Sequence, residues 1–486
     1  MSDVKISKIN EIYMHVDADR GILREIYERF SFRIPNAQFN PKVKDKIWDG
    51  FIRELNLRNQ YMKVGLLPRL HKFLSKNGYS IELDPTLIVG TEFSNEDFDS
   101  LCETLEVQLT PWEHQRKAVV HSINEGRVTL LSPTSSGKSF IISLFMNYHR
   151  AHGRRTLIIC PRVNLVNQMA EDIASYSEYV PNLKLIGDGA DKNVKEDDEC
   201  VISTWQSVFR MPQKWFEQFD VLIGDEVHEF EAASLKGITE KTVNAKYRMG
   251  ASGTIRDAKT HVYTIEGAFG PVYTVATTKE LMDLGIVARL KIQPIIFMHK
   301  KENVPPLSKL NYDSEFALIK DHETRNNTIV DIALTLQSNT LILVDHIETH
   351  GQLIYDIAKQ KTNRPVYFIH GKSDKDDKKN IRKIMEENDG VVCVAGAAIF
   401  STGVSINNLH NVFYATLGRS KVRILQSIGR SLRLHDEKDF AYFFDFADDL
   451  RDGRKKQNYA LKHFLERMEY YNREQFEILQ PRIINV

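Results

Sequence analysis

The sequence predicts an α/β protein: two parallel-sheet lobes in tandem, preceded by a small α+β domain and followed by a helical tail. Three strings predict it, in order along some 300 residues: SPTSSGKS at 132–139, DEVH at 225–228 and QSIGRSLR at 426–433. The first two each follow a short apolar run, 128–131 and 221–224, of the kind a buried parallel strand shows. In open α/β sheets ligands bind beyond the carboxyl ends of such strands, where both strings fall.

The small domain is expected over residues 1–104. Alternation at 5–16 predicts a strand, 21–32 a helix, and 46–55 another strand around the Asp49-Gly50 turn. A second helix follows at 67–77, ended by Gly78, with a further strand at 79–83. Between 42 and 76 stand Lys42, Lys44, Lys46, Arg53, Arg58, Lys63, Arg69, Lys72 and Lys76 against only Asp45, Asp49 and Glu54. Such a basic face can track a phosphate backbone, so Lys42, Lys44 and Lys46 are candidate nucleic-acid contacts. Trp48 and Phe51 are expected in the core. Residues 84–105 read as a polar, acidic linker.

The first lobe is expected over 105–287, with 279–287 as its exit helix, and the second over 288–449. Within the second, 305–324 is polar without periodicity and reads as loop and helix start. In the tail, 450–486, Leu461, Phe464, Leu465 and Met468 recur at helical spacing, with Lys462, Arg467 and Arg473 assigned to the opposite face.

Each string has its own chemistry. A phosphate chain needs inward backbone N–H groups, a helix N-terminus behind them and one cation that reaches the terminal phosphates. Thr134, Ser135 and Ser136 supply the cradle, Gly137 lets the backbone approach, Lys138 brings the charge and Ser139 offers a hydroxyl to Mg²⁺. At the second string Asp225 is the other Mg²⁺ candidate, Glu226 would orient or deprotonate the attacking water, and His228 would link that site to a polymer-binding side. Asp225 lies 87 residues after Lys138, room for the intervening strand–helix units of one lobe. In the third string Arg430 and Arg433 share a helical face with Gln426 nearby.

Composition sets limits. The 65 basic and 65 acidic residues cancel, so any nucleic-acid footprint must be local. No apolar run is long enough to span a membrane, and the first ten residues lack a secretory pattern. Cys102, Cys160, Cys200 and Cys393 form no C-x-x-C pair, which argues against a zinc knuckle or a disulfide framework; Cys160 and Cys393 fall in predicted buried strands. A reduced, cytoplasmic chain is expected.

Together the three strings resemble the nucleotide site of DExH-type superfamily-two helicases, and about 70% of the chain, 106–449, resembles their core of two RecA-like lobes. Phe39-Asn40-Pro41, Trp48-Asp49-Gly50 and Gly65-Leu66, with the tail at 461–476, extend the likeness to the bacteriophage UvsW-type helicases. Ser132 and Ser135 depart from the stricter helicase pattern, which has Gly or Ala at the first and often Gly at the second.

The resemblance implies ATP and Mg²⁺ as cofactors, Lys138 and Glu226 as catalytic residues, and Arg430 and Arg433 as arginine fingers, an arrangement able to contribute about 10³–10⁵ in rate. It implies that Gln115 reads adenine and Gln426 contacts the nucleotide, and that Ser252 and Thr254 of the Ser-Gly-Thr string act with His228 in coupling. Pro161, Arg162, Thr204, Ser207, His370, Gly371, Ser401, Thr402 and Gly403 become candidate nucleic-acid contacts. The implied protein is a monomeric DNA motor on single-stranded and branched DNA, including RNA in hybrids, in the host cytoplasm if phage-encoded. Two other readings stay open here: an RNA-directed or duplex-translocating ATPase, and a nucleotide-gated junction clamp with little hydrolysis.

Overall fold

The computed structural model describes residues 2–486 apart from 188, 230–231, 256–257, 301, 303, 371–372, 374, 398–405, 421–423, 425–426, 430–431, 433–439 and 452–456. The chain divides into two compact units, Met1–Ser132 with Gly137–Ala276 and, for the most part, Thr277–Val486.

The first unit opens with a four-stranded sheet. The alternation at 5–16 is a hairpin rather than one strand: Val4–Lys8 and Tyr13–Ala18 pair antiparallel. Asn10 reverses the chain, its Oδ1 accepting from the backbone N–H groups of Ile12 at 2.8 Å and Tyr13 at 2.9 Å. Ile81–Leu83 and Tyr61–Lys63 complete the sheet, and helices Arg20–Arg29 and Leu67–Lys76 cover it. The predicted strand at 46–55 shrinks to Phe51–Arg53, which pairs with Ser31–Arg33. Lys46 and Gly50 take φ of 57° and 82° there, so the chain turns instead of extending. Trp48 and Phe51 are half-buried, not core, on a ribbon of only two strands.

The polar segment 84–105 hides a helix, Asn95–Thr104. Ser94 and Asp97 form a reciprocal capping box at 3.2 and 2.8 Å, and Phe98, with Phe93 and Leu105, enters the core of the lobe that follows. That lobe is a seven-stranded, wholly parallel sheet in the order Val272–Thr274, Arg127–Leu131, Tyr247–Ser252, Val221–Asp225, Thr156–Cys160, Cys200–Thr204, Leu183–Ile186. Most of its strands are buried apolar runs, as a sheet covered on both faces requires. The strands that lead into SPTSSGKS, the Ser-Gly-Thr string and DEVH are consecutive neighbours.

The second unit is again a parallel sheet, ordered Val366–Ile369, Val392–Gly396, Thr340–Val344, Asn411–Tyr414, Phe440–Asp449, Arg289–Met298, Glu477–Ile478. The segment 305–324, expected as loop and helix start, carries a whole helix, Tyr312–Lys320, and a second helix, Glu323–Thr335, follows directly. After the tail helix Tyr459–Arg473 the chain returns to the sheet, where Arg482–Asn485 also pairs with Arg289–Met298. Arg467 lies on the buried face of that helix, not on the opposite one. Its guanidinium grips the buried Asp445 carboxylate at 2.6 Å, and Tyr471 donates to the same carboxylate at 2.7 Å. Leu465, placed in the apolar stripe by spacing, is exposed. Among the described residues no helix is long and apolar enough to cross a membrane.

Candidate active site

The strand Arg127–Leu131 delivers the chain to the carboxyl end of the first sheet, where Ser132 N donates to Ser252 O at 2.9 Å and continues the ladder. The loop then tightens. Ser136 Oγ donates to Pro133 O at 2.6 Å, Ser135 sits at φ 68° and Gly137 at φ 79°. The left-handed region strains a residue with a Cβ, which is the physical reason glycine is usual at the first of these positions. At Gly137 the need is twofold, since a Cβ there would lie 2.1 Å from Nε2 of Gln115. Gln115, near the start of the helix Glu113–Glu125, is buried with Oε1 accepting from Trp112 N at 2.9 Å. The adenine-reading candidate and the phosphate loop therefore touch. Helix Lys138–Ala151 begins directly after Gly137.

Two strands away, Asp225 closes the buried strand Val221–Asp225 and the chain turns sharply at Glu226, φ 48°. This brings Glu226 Oε1 to 2.9 Å from the Lys138 ammonium. Gly253, whose added Cβ would lie 3.3 Å from Lys138 Nζ, leaves room for that amine. Glu226 Oε2 lies 3.2 Å from His228 Nδ1 and accepts from Gly253 N at 3.4 Å. His228 Nδ1 is also 2.7 Å from Ser252 Oγ. The single proton of Ser252 goes to Thr254 O at 2.6 Å, so Nδ1 carries the hydrogen and donates toward both Ser252 and Glu226. Lys138, Glu226, His228, Ser252 and Thr254 thus form one continuous polar chain.

The two adjacent carboxyls differ. Burial and the neighbouring Glu226 charge push Asp225 up to about 7. Burial also acts to raise Glu226, but the Lys138 ammonium and the His228 hydrogen bond outweigh it and hold that carboxyl well below the usual range. A buried carboxyl that Lys138 and His228 compensate only in part, at the same carboxyl end of the sheet as Ser139, suits a hard cation taking few protein oxygens and completing its shell with phosphates and water. Among the described residues no group of three or more His, Cys, Asp or Glu could hold a metal by itself. The residues fit Mg²⁺ arriving with a nucleotide.

The carboxyl ends of neighbouring strands carry other predicted residues. Arg162 follows Thr156–Cys160 and Pro161, opens the helix Val163–Tyr176, and pairs with Glu229 at 3.0 Å. Thr204, ending Cys200–Thr204, bonds through Oγ1 to Ser207 Oγ at 2.8 Å. Ser207 donates to Gly187 O at 3.1 Å, and Gln206 Nε2 reaches Pro161 O at 3.3 Å. The two strings therefore contact each other. In the second unit His370 follows the strand Val366–Ile369, with its backbone N donating to Ser373 Oγ at 3.1 Å. Gly371, Ser401, Thr402, Gly403, Gln426, Arg430 and Arg433 lie outside the described residues.

Lys42 and Lys44, on the short helix Pro41–Lys44, and Lys46 just beyond it are exposed, remote in sequence from the nucleotide strings. Beside them Phe39 and Ile47 are 68% and 75% exposed. Trp48 and Phe51, expected in the core, are half-buried, and Phe39 and Ile47 are the apolar groups most exposed beside the lysines. Sequence alone did not single out Tyr176: its hydroxyl is 2.6 Å from Ser139 Oγ, and nothing in its local sequence marks it.

Known proteins resemble this chain in both its N-terminal domain and its first lobe. Residues 3–84 match the family described as DNA helicase UvsW, N-terminal, and residues 106–257 the family described as Type III restriction enzyme, res subunit. The chain is 32% identical over 502 residues to the ATP-dependent DNA helicase uvsW of Enterobacteria phage T4, covering 99% of each. It is 26% identical to the probable helicase D10 of Escherichia phage T5, over 61% of this chain and 63% of that one. Its fold matches the crystal structure of T4 UvsW with a TM-score of 0.53 over 99% of both chains.

Proposed function

The chain belongs to the UvsW family of ATP-dependent DNA helicases, and from that premise we propose that it remodels branched DNA: Holliday junctions, stalled forks, D-loops and R-loops, as a monomer, in phage recombination and replication restart. The observation that carries the mechanism is the turn at 225–229. From it one set of contacts runs to the phosphate-loop lysine, a second to Ser252 and Thr254, and a third, through Glu229, to Arg162.

Terminal phosphates of ATP compete with Glu226 for the Lys138 ammonium. Once the lysine turns to phosphate, Glu226 keeps its His228 contact at one oxygen and can accept a proton from the attacking water at the other. Bound Mg²⁺, held by Asp225 and Ser139, would neutralise charge on the phosphates. Because Nδ1 of His228 bridges Glu226 and Ser252, a change at the water-binding oxygens also moves the hydrogen bonds of the Ser-Gly-Thr string. Arg162, tied to the same turn by Glu229, conveys it toward Pro161, Thr204 and Ser207, which contact one strand through its sugar-phosphate backbone and so without regard to sequence. Lys42, Lys44 and Lys46 grip an adjoining duplex arm, with Phe39 and Ile47 available to meet unpaired bases.

Steady-state ATPase rates at fixed salt test this, with no polymer, single-stranded DNA, plain duplex, a four-way junction and matched RNA. Greatest stimulation by the junction is expected. Equal stimulation by RNA and DNA would overturn the substrate assignment, and no stimulation by any polymer would favour a junction-binding clamp.

A further inference from the structure

We propose that Tyr176 is a positioning residue that orients the Ser139 hydroxyl for Mg²⁺. The inference rests on the reading of Ser139 as a metal-binding group.

Three restraints fix the phenol. Tyr176 ends the helix Val163–Tyr176, and its carbonyl accepts from Gln108 N at 2.9 Å, holding it to the segment just before the Gln115 string. Its ring packs edge-on against Phe140, the residue after Ser139, with centroids 5.2 Å apart. The ring is partly buried, and its hydroxyl lies 2.6 Å from Ser139 Oγ.

Proton accounting gives this contact a role. A serine that binds a cation offers an oxygen lone pair, and its one hydrogen must point away from the metal. Without a partner the hydroxyl samples several rotamers before the cation arrives, and binding must then fix one of them. With Ser139 as the donor of the two hydroxyls, the fixed phenol oxygen at 2.6 Å gives that hydrogen a destination. Tyr176 thereby selects the orientation in which the Ser139 lone pair is available. The edge-on ring contact provides a clean perturbation: Tyr176→Phe keeps the contact with Phe140 and deletes only the oxygen.

The measurement is equilibrium binding of a fluorescent ADP, in excess Mg²⁺ and in EDTA, for the wild type, Tyr176→Phe and Ser139→Ala. Tyr176→Phe is expected to match the wild type in EDTA and to lose about fivefold of the affinity gained from Mg²⁺, the equivalent of about 1 kcal/mol for one hydrogen bond. Ser139→Ala is expected to lose more of that gain. An unchanged Mg²⁺ gain in Tyr176→Phe, with the gain lost in Ser139→Ala, would overturn the role of Tyr176 alone. A gain retained in Ser139→Ala would overturn the metal reading beneath it. Tighter Mg²⁺-dependent binding in Tyr176→Phe would mean that the tyrosine competes with the metal, and equal losses in EDTA and Mg²⁺ would reduce it to packing. Either result refutes the proposal.

Discussion

Replacing Glu226 with glutamine separates two roles of one carboxylate, its proposed role as proton acceptor for water and its observed pairing with Lys138. The pair is 2.9 Å long with side chains 15% and 22% exposed. A pair this accessible to water contributes about 1 kcal/mol. ATP must break it, so removing the charge should tighten ATP binding by roughly fivefold. Glutamine preserves the shape of the side chain and can still accept from Gly253 N. It cannot take a proton from water, so turnover should fall by about 10²–10⁴. Equilibrium binding of a fluorescent ATP analogue, paired with steady-state ATPase at saturating single-stranded DNA, reads both effects. Wild-type turnover would remove Glu226 as the base. Weaker ATP binding would refute the competition for Lys138, whatever happened to the rate.

Four further outcomes are expected. Asp225→Asn should alter the pH dependence of stability: the folded carboxyl titrates near 7, above its ordinary value of 3.8, so the wild type loses stability as pH rises through that interval. The variant should therefore gain about 2 kcal/mol on the wild type between pH 5 and 8, and parallel pH profiles in denaturant melts would contradict this. Arg69→Ala strands the Glu266 carboxylate, whose side chain is 3% exposed; the unfolding free energy should drop by about 1–3 kcal/mol, and an unchanged urea midpoint would count against that ion pair as a clamp. Ser135→Gly removes a Cβ from φ 68° and should stabilise the nucleotide-free protein by up to about 1 kcal/mol with turnover intact; a fall in thermal midpoint would show that the serine contributes more than its backbone strain removes. Replacing Lys42, Lys44 and Lys46 together with alanine should lower the salt slope of DNA affinity by about three and leave basal ATPase unchanged; an unaltered slope would take these lysines off the DNA.

Sequence carried the fold class because it depends on local signals: apolar runs of strand length, each followed by a string with distinctive chemistry. It could not carry sheet order, on which the geometry of the site depends. Lys138 and Glu226 are 88 residues apart, and His228 and Ser252 are 24 apart. They meet because Tyr247–Ser252 lies between the other two motif strands. Errors arose where composition and burial part company. Asn95–Thr104 is acidic, yet a single face bearing Phe98 suffices to seat it. Arg467 has the charge of a surface residue but is buried, because Asp445 and Phe446 O satisfy its guanidinium. The hairpin at 4–18 hid inside one alternating run because an Asx turn at Asn10 needs no glycine or proline.

The same contacts recast the N-terminal sheet as part of the nucleotide-binding body. Its core includes Tyr263, from the helix Lys259–Phe269 that follows the Ser-Gly-Thr string. Phe32 and the Arg69 guanidinium lie 4.3 and 4.7 Å from that ring. Gly65 meets the same helix so closely that an added Cβ would be 2.0 Å from Glu266 O. Arg127, the first residue of the strand leading to the phosphate loop, donates to Glu11 O at 2.7 Å. A domain attached at both the strand Arg127–Leu131 and the helix after the Ser-Gly-Thr string must move with them, since close-packed contacts transmit displacement rather than absorb it. Removing residues 1–104 would also take Phe93 and Phe98 out of the lobe's core, so truncation would confuse unfolding with loss of DNA grip. The lysine substitutions leave that interface whole. They can therefore distinguish a domain that holds DNA in its own right from one that only braces the helix Lys259–Phe269: in the first case affinity falls with ATPase preserved, and in the second neither changes.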